Sequence, residues 1–350
     1  MKKWTFDLRE ISLSRAHLMG LATLWIALFH SIRLNFYQPW LLERPHLMDL
    51  LNRLREEGNC GVDIFLFLSG IGLVFSWAGV RERSSHPLRT FYRRRLSRVL
   101  PPVLTVSVLY YGWIGAKDGA DWLARVFLYG NFLPSKVWGQ YWFFALLLVL
   151  YLLFPLIWKA VDRGGFSGSL GLIGISVLWT LTLKYWISEA YFIKTEILWT
   201  RIPVFIAGVY FGRLIRRGVR IPAWIPILSI PAAILLWYEI RLIPEELIWL
   251  RRYTYLPLTV FITLGHGWLC SLGKRNSWPY RAVTGIGKYS LELYLIYEGL
   301  YLYNPLGFQS PDAIGIIYAG TVFTLSLLLS ALLRAVMERL RAAACAKAAG

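Results

Sequence analysis

A histidine lies deep inside the first long apolar run of the sequence, which reads MGLATLWIALFHSIRLN over 19–35. A polar side chain in hydrocarbon costs free energy unless it faces protein or a water-filled cavity, so His30 is a functional candidate by default. A neutral imidazole, whose ordinary pKa is about 6.5, can accept the proton of an attacking hydroxyl group. The alternative is that His30 only hydrogen-bonds a neighbouring helix.

Two carboxylates are predicted to lie at a similar depth in the membrane. Twelve residues from Leu18 at about 1.5 Å each place His30 about 18 Å into its helix, past the midplane. Asp63 and Glu298, counted from the opposite ends of their helices, fall in the same outer half. We therefore expect an outward-facing cavity in which Asp63 or Glu298 orients the imidazole.

A second group of candidates is basic and lies in the segment RRRLSR, where Arg93, Arg94, Arg95 and Arg98 stand just before an apolar run. On a helix, residues three or four apart share a face, so several guanidinium groups can converge. Guanidinium groups bind phosphate oxygens with two parallel hydrogen bonds, which favours a phosphorylated cytoplasmic ligand. A stop-transfer signal or a contact with lipid headgroups explains the same residues equally well.

Three charged residues share one late apolar run, GIGKYSLELYLIYEGLY. Lys288, Glu292 and Glu298 are costly in a lipid-exposed helix, so this helix should face the interior of a bundle. Lys288 and Glu292 are four residues apart, and a structural ion pair between them is the alternative to a functional role.

The composition identifies the class of protein that holds these residues. The chain of 350 residues is 57% hydrophobic with a mean hydropathy of +0.49, whereas a soluble domain is about 45–50% apolar. It is therefore predicted to span a membrane several times, so its net charge of +18 does not indicate a nucleic-acid partner. The three cysteines, Cys60, Cys270 and Cys345, have no ligand or disulfide spacing, so no metal site is predicted. The first apolar run is predicted to be a retained helix and not a removed signal peptide.

The predicted fold is all-α and polytopic, a single membrane domain over 1–350 with short tails at about 1–17 and 336–350. About ten apolar runs approach the length of about 20 residues that a spanning helix needs. Basic residues concentrate in the tails and in alternate loops, which predicts that both termini are cytoplasmic. The candidate spans are 18–36, 61–80, 99–115, 138–158, 168–187, 198–215, 223–241, 253–272, 283–303 and 313–335.

The order of motifs along the chain resembles the acyltransferase family 3 of integral membrane proteins. The resemblance extends from Arg15 to about Tyr303, and six motifs in order make it specific. They are GLATLWIALFH, GVDIFLFLSG, FYRRRLSRVLPP, YWFFALLLVLYLLFPLIW, RIPVFIAGVYFGR and GKYSLELYLIY.

This resemblance implies a function. Members of the family transfer acyl groups, most often acetyl from cytoplasmic acetyl-CoA, to hydroxyls of extracytoplasmic or lipid-linked glycans. His30 matches the family's essential histidine, and Arg93, Arg94, Arg95 and Arg98 match its arginine motif for the acyl donor. The implied donor is acyl-CoA, with no permanently bound cofactor, and the implied location is a bacterial cytoplasmic membrane. Direct transfer and an acyl-imidazole intermediate both stay open, as do the acceptor and a homo-oligomeric state.

The chain also departs from the family at several positions. Many members carry an arginine or lysine eleven residues before the histidine, where this chain has Met19. Arg15 lies one turn earlier on the same helix face and is expected to take that role. Leu147 and Leu148 replace a glutamate that is common in the fourth span, and Tyr297 replaces a histidine that is common in the ninth.

The sequence also allows a role for Arg33 and an alternative function for the protein. Arg33, one turn beyond His30, is a candidate contact for an anionic acceptor or an anchor at the membrane interface. A transporter or flippase would use the same buried charges as a polar path without chemistry, although no internal repeat with matching broken helices favours it.

Overall fold

The computed structural model describes residues 4–30, 43–115, 118–133, 141–303 and 313–347, and most of these are helical. The helices are α1 (Arg9–Leu13), α2 (Arg15–His30), α3 (Pro45–Glu56), α4 (Cys60–Arg83), α5 (Pro87–Ile114), α6 (Gly119–Val126), α7 (Trp142–Thr182), α8 (Glu189–Trp199), α9 (Ile202–Arg216), α10 (Trp224–Glu239), α11 (Ile248–Tyr253), α12 (Tyr255–Leu272), α13 (Trp278–Lys288), α14 (Ser290–Tyr303) and α15 (Ala313–Lys347). A π-helical turn follows α7 at Leu183–Ile187, and 3-10 turns lie at Glu57–Asn59, Tyr129–Phe132, Ile240–Leu242 and Glu245–Leu247. Two short strands, β1 (Thr5–Asp7) and β2 (Arg220–Pro222), pair antiparallel.

Five helical stretches of the described chain are long and apolar enough to cross a membrane. The longest, Trp142–Ile187, holds two of the predicted spans and breaks at Gly165, whose φ of 59° no ordinary side chain adopts easily. The protein is thus an all-α, multi-pass membrane protein. About ten spans, and the cytoplasmic placement of both termini, stay predictions from the sequence.

The N-terminal segment contacts two loops that the sequence assigns to the same side of the membrane. Strand β1 pairs with β2, which lies between two predicted spans. Glu10 forms an ion pair with Arg275 in the loop that follows α12, and Arg216 bonds Glu82 at 3.1 Å. These contacts gather the N-terminus and the Arg-rich loops at one end of the bundle, which we call the basic end.

Close contacts between helices depend on glycine, because a Cβ atom would keep the backbones apart. A methyl group at Gly208 of α9 would overlap the carbonyl oxygen of Phe67 in α4. At the α2–α13 contact, a methyl group at Gly287 would overlap the carbonyl oxygen of Ala16. The backbones of α4 and α9 are therefore in close contact, and so are those of α2 and α13.

Candidate active site

Helix α2 ends at His30, and the imidazole ring of His30 faces α14 inside the bundle. His30 Nε2 lies 2.9 Å from Oε2 of Glu298, whose side chain is 2% exposed against 16% for the histidine. The ring of Phe29 meets the imidazole edge-on, with 5.3 Å between centroids. The structure thus brings together one of the two predicted carboxylates and the histidine.

Tyr297, which stands where the family often has a histidine, links the same two helices. Its hydroxyl donates a hydrogen bond to the carbonyl oxygen of Ala27 at 3.0 Å, and its ring centroid lies 6.4 Å from that of His30. The bond joins α14 to α2 one turn before His30. Tyr297 therefore helps to hold His30 against Glu298, a role that the sequence did not suggest.

Asp63 has a different partner. Its Oδ2 accepts a hydrogen bond from Nη1 of Arg201 at 2.8 Å, and both side chains are completely buried. Arg201 also donates from Nη2 to Oδ1 of Asn59 at 2.7 Å. The charge of Asp63 is thus balanced by Arg201, which the sequence analysis left without a role, and no described contact joins Asp63 to His30.

Further ion pairs lie beside Asp63 and Arg201. Arg252 pairs with Glu196 at 3.1 Å, and Arg251 pairs with Glu57. Tyr255 donates a hydrogen bond to Glu57 at 3.0 Å, and its ring lies 5.9 Å from the Arg201 guanidinium. These contacts join the 3-10 turn before α4 to α11 and α12, and α8 to α11, so charged residues brace this part of the bundle internally.

A cavity of about 450 Å³ lies among α2, α4, α5, α7, α13, α14 and α15. Its lining carries five cationic side chains and one carboxylate, namely Arg15, Arg95, Arg98, Lys288, Arg334 and Glu292. Among the described residues, none of the first three arginines forms an ion pair with a carboxylate. Arg334 pairs with Glu338 at 3.0 Å, but cationic side chains still outnumber carboxylates in the described lining, so the cavity favours an anion.

Arg15 reaches this cavity because Gly72 of α4 has no side chain. A Cβ at Gly72 would lie 2.6 Å from Nη1 of Arg15, and the carbonyl oxygen of Gly72 accepts a hydrogen bond from Arg95 at 3.2 Å. Nε of Arg15 is buried and has no hydrogen-bond partner among the described residues. Met19 lines the same cavity one turn further along α2, so Arg15 points to the place that the family's basic residue would reach.

The arginine motif is divided between two places. Arg95 and Arg98 line the central cavity, whereas Arg93 and Arg94 line a separate surface pocket of about 390 Å³ that also includes Arg89. The separation follows from the helix, because consecutive residues point about 100° apart around α5. Arg95 and Arg98, three residues apart, thus converge on the central cavity as their spacing allows, while Arg93 and Arg94 do not line it.

Aromatic residues line the inner part of the cavity. The ring of Tyr294 on α14 packs against Phe143 and Phe144 of α7, with centroids 5.4 Å and 5.5 Å away. Tyr294 lies one turn, about 6 Å, before Glu298. Neither His30 nor Glu298 lines the cavity, but its aromatic wall ends one helical turn from their contact.

The three charges predicted on one late helix lie on two helices, because α13 ends at Lys288 and α14 begins at Ser290. Lys288 and Glu292 both line the cavity, and no ion pair joins them within the described part of the chain. Arg334 of α15 donates a hydrogen bond to the carbonyl oxygen of Lys288 at 2.5 Å. The alternative of a self-contained Lys288–Glu292 pair is therefore wrong. Arg33, the other residue considered for an anionic ligand, lies outside the described residues.

A comparison with protein families identifies the family to which the chain belongs. A family profile described as an acyltransferase domain, the acyltransferase 3 family, matches residues 17–335. The chain belongs to this family. The match makes the protein a membrane acyltransferase and includes every predicted site residue except Arg15, which lies two residues before it. Searches of curated proteins and of solved structures each gave no significant match.

The buried Asp63–Arg201 pair generates a stability prediction. Arg201→Met leaves the Asp63 carboxylate buried without its cation, which is expected to lower the free energy of unfolding by about 3–5 kcal/mol. Asp63→Leu/Arg201→Met removes both charges and should recover most of that loss. Thermal unfolding of the detergent-solubilised protein measures both variants.

The matched control is Arg216→Met, which breaks the exposed pair with Glu82 and should change the unfolding temperature little. If Arg201→Met unfolds no more easily than Arg216→Met, the Asp63–Arg201 pair does not brace the bundle.

Proposed function

We propose that this acyltransferase moves an acyl group, with acetyl as the favoured one, from cytoplasmic acyl-CoA to a hydroxyl of an extracytoplasmic or lipid-linked carbohydrate. The observation that carries the proposal is the cavity lined by Arg15, Arg95 and Arg98, none of which has a carboxylate partner in the part of the chain that the structure describes. Acyl-CoA carries several phosphate charges and a long, thin pantetheine arm. Guanidinium groups are well suited to the phosphates, and the aromatic wall of the cavity is suited to the arm.

The volume and direction of the cavity fit this division of the donor. At about 450 Å³ it is within the usual range of small-molecule sites, about 300–1,000 Å³, and would hold the part of the donor nearest the thioester. With the phosphates at the arginines, the arm extends past Phe143 and Tyr294 toward Glu298. The thioester then approaches His30 from the basic end.

His30 acts as the general base in the proposed reaction. With Nε2 next to Glu298, Nδ1 is the nitrogen that takes the proton of the acceptor hydroxyl. The hydroxyl oxygen forms the new ester bond as the carbon–sulfur bond breaks, and the coenzyme A sulfur leaves as a thiolate that takes up the proton. Glu298 stabilises the imidazolium between these steps and fixes the ring orientation, so it is a positioning residue.

Replacement of His30 tests the proposed function. His30→Ala removes the base, and general-base catalysis contributes about 10²–10⁴ in rate. We expect at least a hundredfold loss in the transfer of label from radioactive acetyl-CoA to the glycan fraction of membranes. His46→Ala, in the exposed helix α3, is the control and should retain the full rate.

Glu298→Gln should lower the rate less than His30→Ala and shift the pH dependence of kcat, because the imidazolium loses its counter-charge. A His30→Ala protein that transfers label at the rate of the control contradicts the proposal. Wild-type vesicles that accumulate an unmodified glycan, with no label transferred, would instead establish a transporter.

The divided arginine motif predicts a difference between its members. Arg95→Gln and Arg98→Gln should each raise the KM for acetyl-CoA about tenfold or more, since a hydrogen bond to a charged group contributes about 1.5–3 kcal/mol. Arg93→Gln and Arg94→Gln, in the separate pocket, should change it less than threefold. Steady-state kinetics with varied acetyl-CoA measure all four.

A glycine variant tests the cavity without removing a charge. Gly72→Ala places a methyl group against the Arg15 guanidinium and should raise the same KM, while Gly79→Ala on the same helix meets open space and should not. An unchanged KM in all four arginine variants would leave the motif as a topology signal only, and equal increases in all four would contradict its division between two places.

A further inference from the structure

Three side chains able to bind a metal meet at the basic end, outside the proposed active site. They are His17 in the first turn of α2, and His266 and Cys270 on α12. One ligand atom from each lies within 4.8 Å of the other two. The sequence could not show this cluster, because 249 positions separate His17 from His266.

The distances within the cluster are close to those of a metal site. Nδ1 of His17 lies 2.8 Å from Nε2 of His266. Nε2 of His266 also lies 3.4 Å from Sγ of Cys270. Zinc bonds of about 2.0–2.1 Å to nitrogen and about 2.3 Å to sulfur, at tetrahedral angles, separate ligand atoms by about 3.4–3.6 Å. Side-chain shifts of about 1 Å or less would admit the ion between the two imidazoles.

The surroundings hold the rings in place. His17 stacks on Tyr280 of α13, with 4.2 Å between centroids and an angle of 6° between the planes. His266 and Cys270 are one turn apart on α12 and so share a face. His266 uses Nε2 for both contacts, to His17 Nδ1 and to Cys270 Sγ, so one edge of its ring faces both other members of the cluster.

We propose that His17, His266 and Cys270 bind a zinc-class transition-metal ion. Two imidazoles and a thiolate favour such an ion over calcium or magnesium, which prefer oxygen ligands. On binding, the Cys270 thiol loses its proton to solvent and the thiolate bonds to the metal. The three ligands leave a fourth position for water.

The position of the site suggests its consequence. His17 lies two residues after Arg15, which lines the cavity, and the site joins α2 to α12 beside α13. A bound ion therefore fixes the first turn of α2 and with it the direction of Arg15. This role is independent of the acyl donor and does not rest on the proposed function.

Metal binding by the full chain tests the site. The protein is purified in detergent without a polyhistidine tag, stripped with a chelator and titrated with zinc. We expect one zinc ion per chain by elemental analysis, and an absorption band of sulfur-to-metal charge transfer when cobalt replaces zinc. Cys270→Ser should abolish this band and weaken zinc binding at least tenfold.

Cys60→Ser is the control and should keep both the band and the affinity, since Cys60 lies outside the cluster, within reach of Thr259. His17→Gln keeps the buried thiol intact and should also weaken zinc binding at least tenfold, so that the test does not depend on one variant. A wild-type chain that binds no stoichiometric zinc, or variants of Cys270 and His17 that bind it as tightly as wild type, would show a hydrogen-bonded histidine pair without a metal and overturn the proposal.

Discussion

The contact between the Arg15 guanidinium and the backbone of Gly72 is the constraint on which the arrangement of the basic end depends. A charged side chain within an apolar bundle must be surrounded by protein or by a polar cavity. Gly72 gives Arg15 room on α4, and its carbonyl oxygen also accepts a hydrogen bond from Arg95. One residue without a side chain thereby places two cations at one cavity, and neither has a carboxylate partner among the described residues.

The buried cluster around Asp63 differs from the cavity in that its charged side chains are paired with one another. There Asp63 pairs with Arg201, and Glu196 pairs with Arg252, so each of these charges meets its opposite within the protein. The cavity differs from this cluster, because Arg15, Arg95 and Arg98 line it and none of them is paired with a carboxylate among the described residues. His30 and Glu298 are one helical turn beyond the cavity's aromatic wall, where a thioester entering from the arginines would reach them.

Much of this organisation followed from the sequence. Helix rise alone predicted that His30 and Glu298 lie at one depth, and the structure brings them to 2.9 Å. The same counting grouped Asp63 with them, because depth along a helix says nothing about which face meets which neighbour. The i to i+4 relation between Arg15 and Met19 correctly indicated that both reach one place, since that relation is internal to one helix.

Features that depend on packing between distant segments were beyond the sequence. Spacing showed that several arginines of the motif can share a helix face, but not which of them meet the cavity, because that depends on the helices around α5. The approach of His17 to His266 likewise joins residues 249 positions apart, and no local spacing indicates it. In each case the missing information was the identity of the helix on the other side.

The proposed path brings the acyl donor in through the basic cavity and its thioester to His30. Electron cryomicroscopy of the protein with a non-hydrolysable acyl-CoA analogue would reveal this path. We expect phosphate density within hydrogen-bonding distance of Arg15, Arg95 and Arg98, and the analogue's acyl carbon beside the His30 ring. Density for the phosphates at Arg93 and Arg94 alone, with the cavity empty of the pantetheine arm, would contradict it.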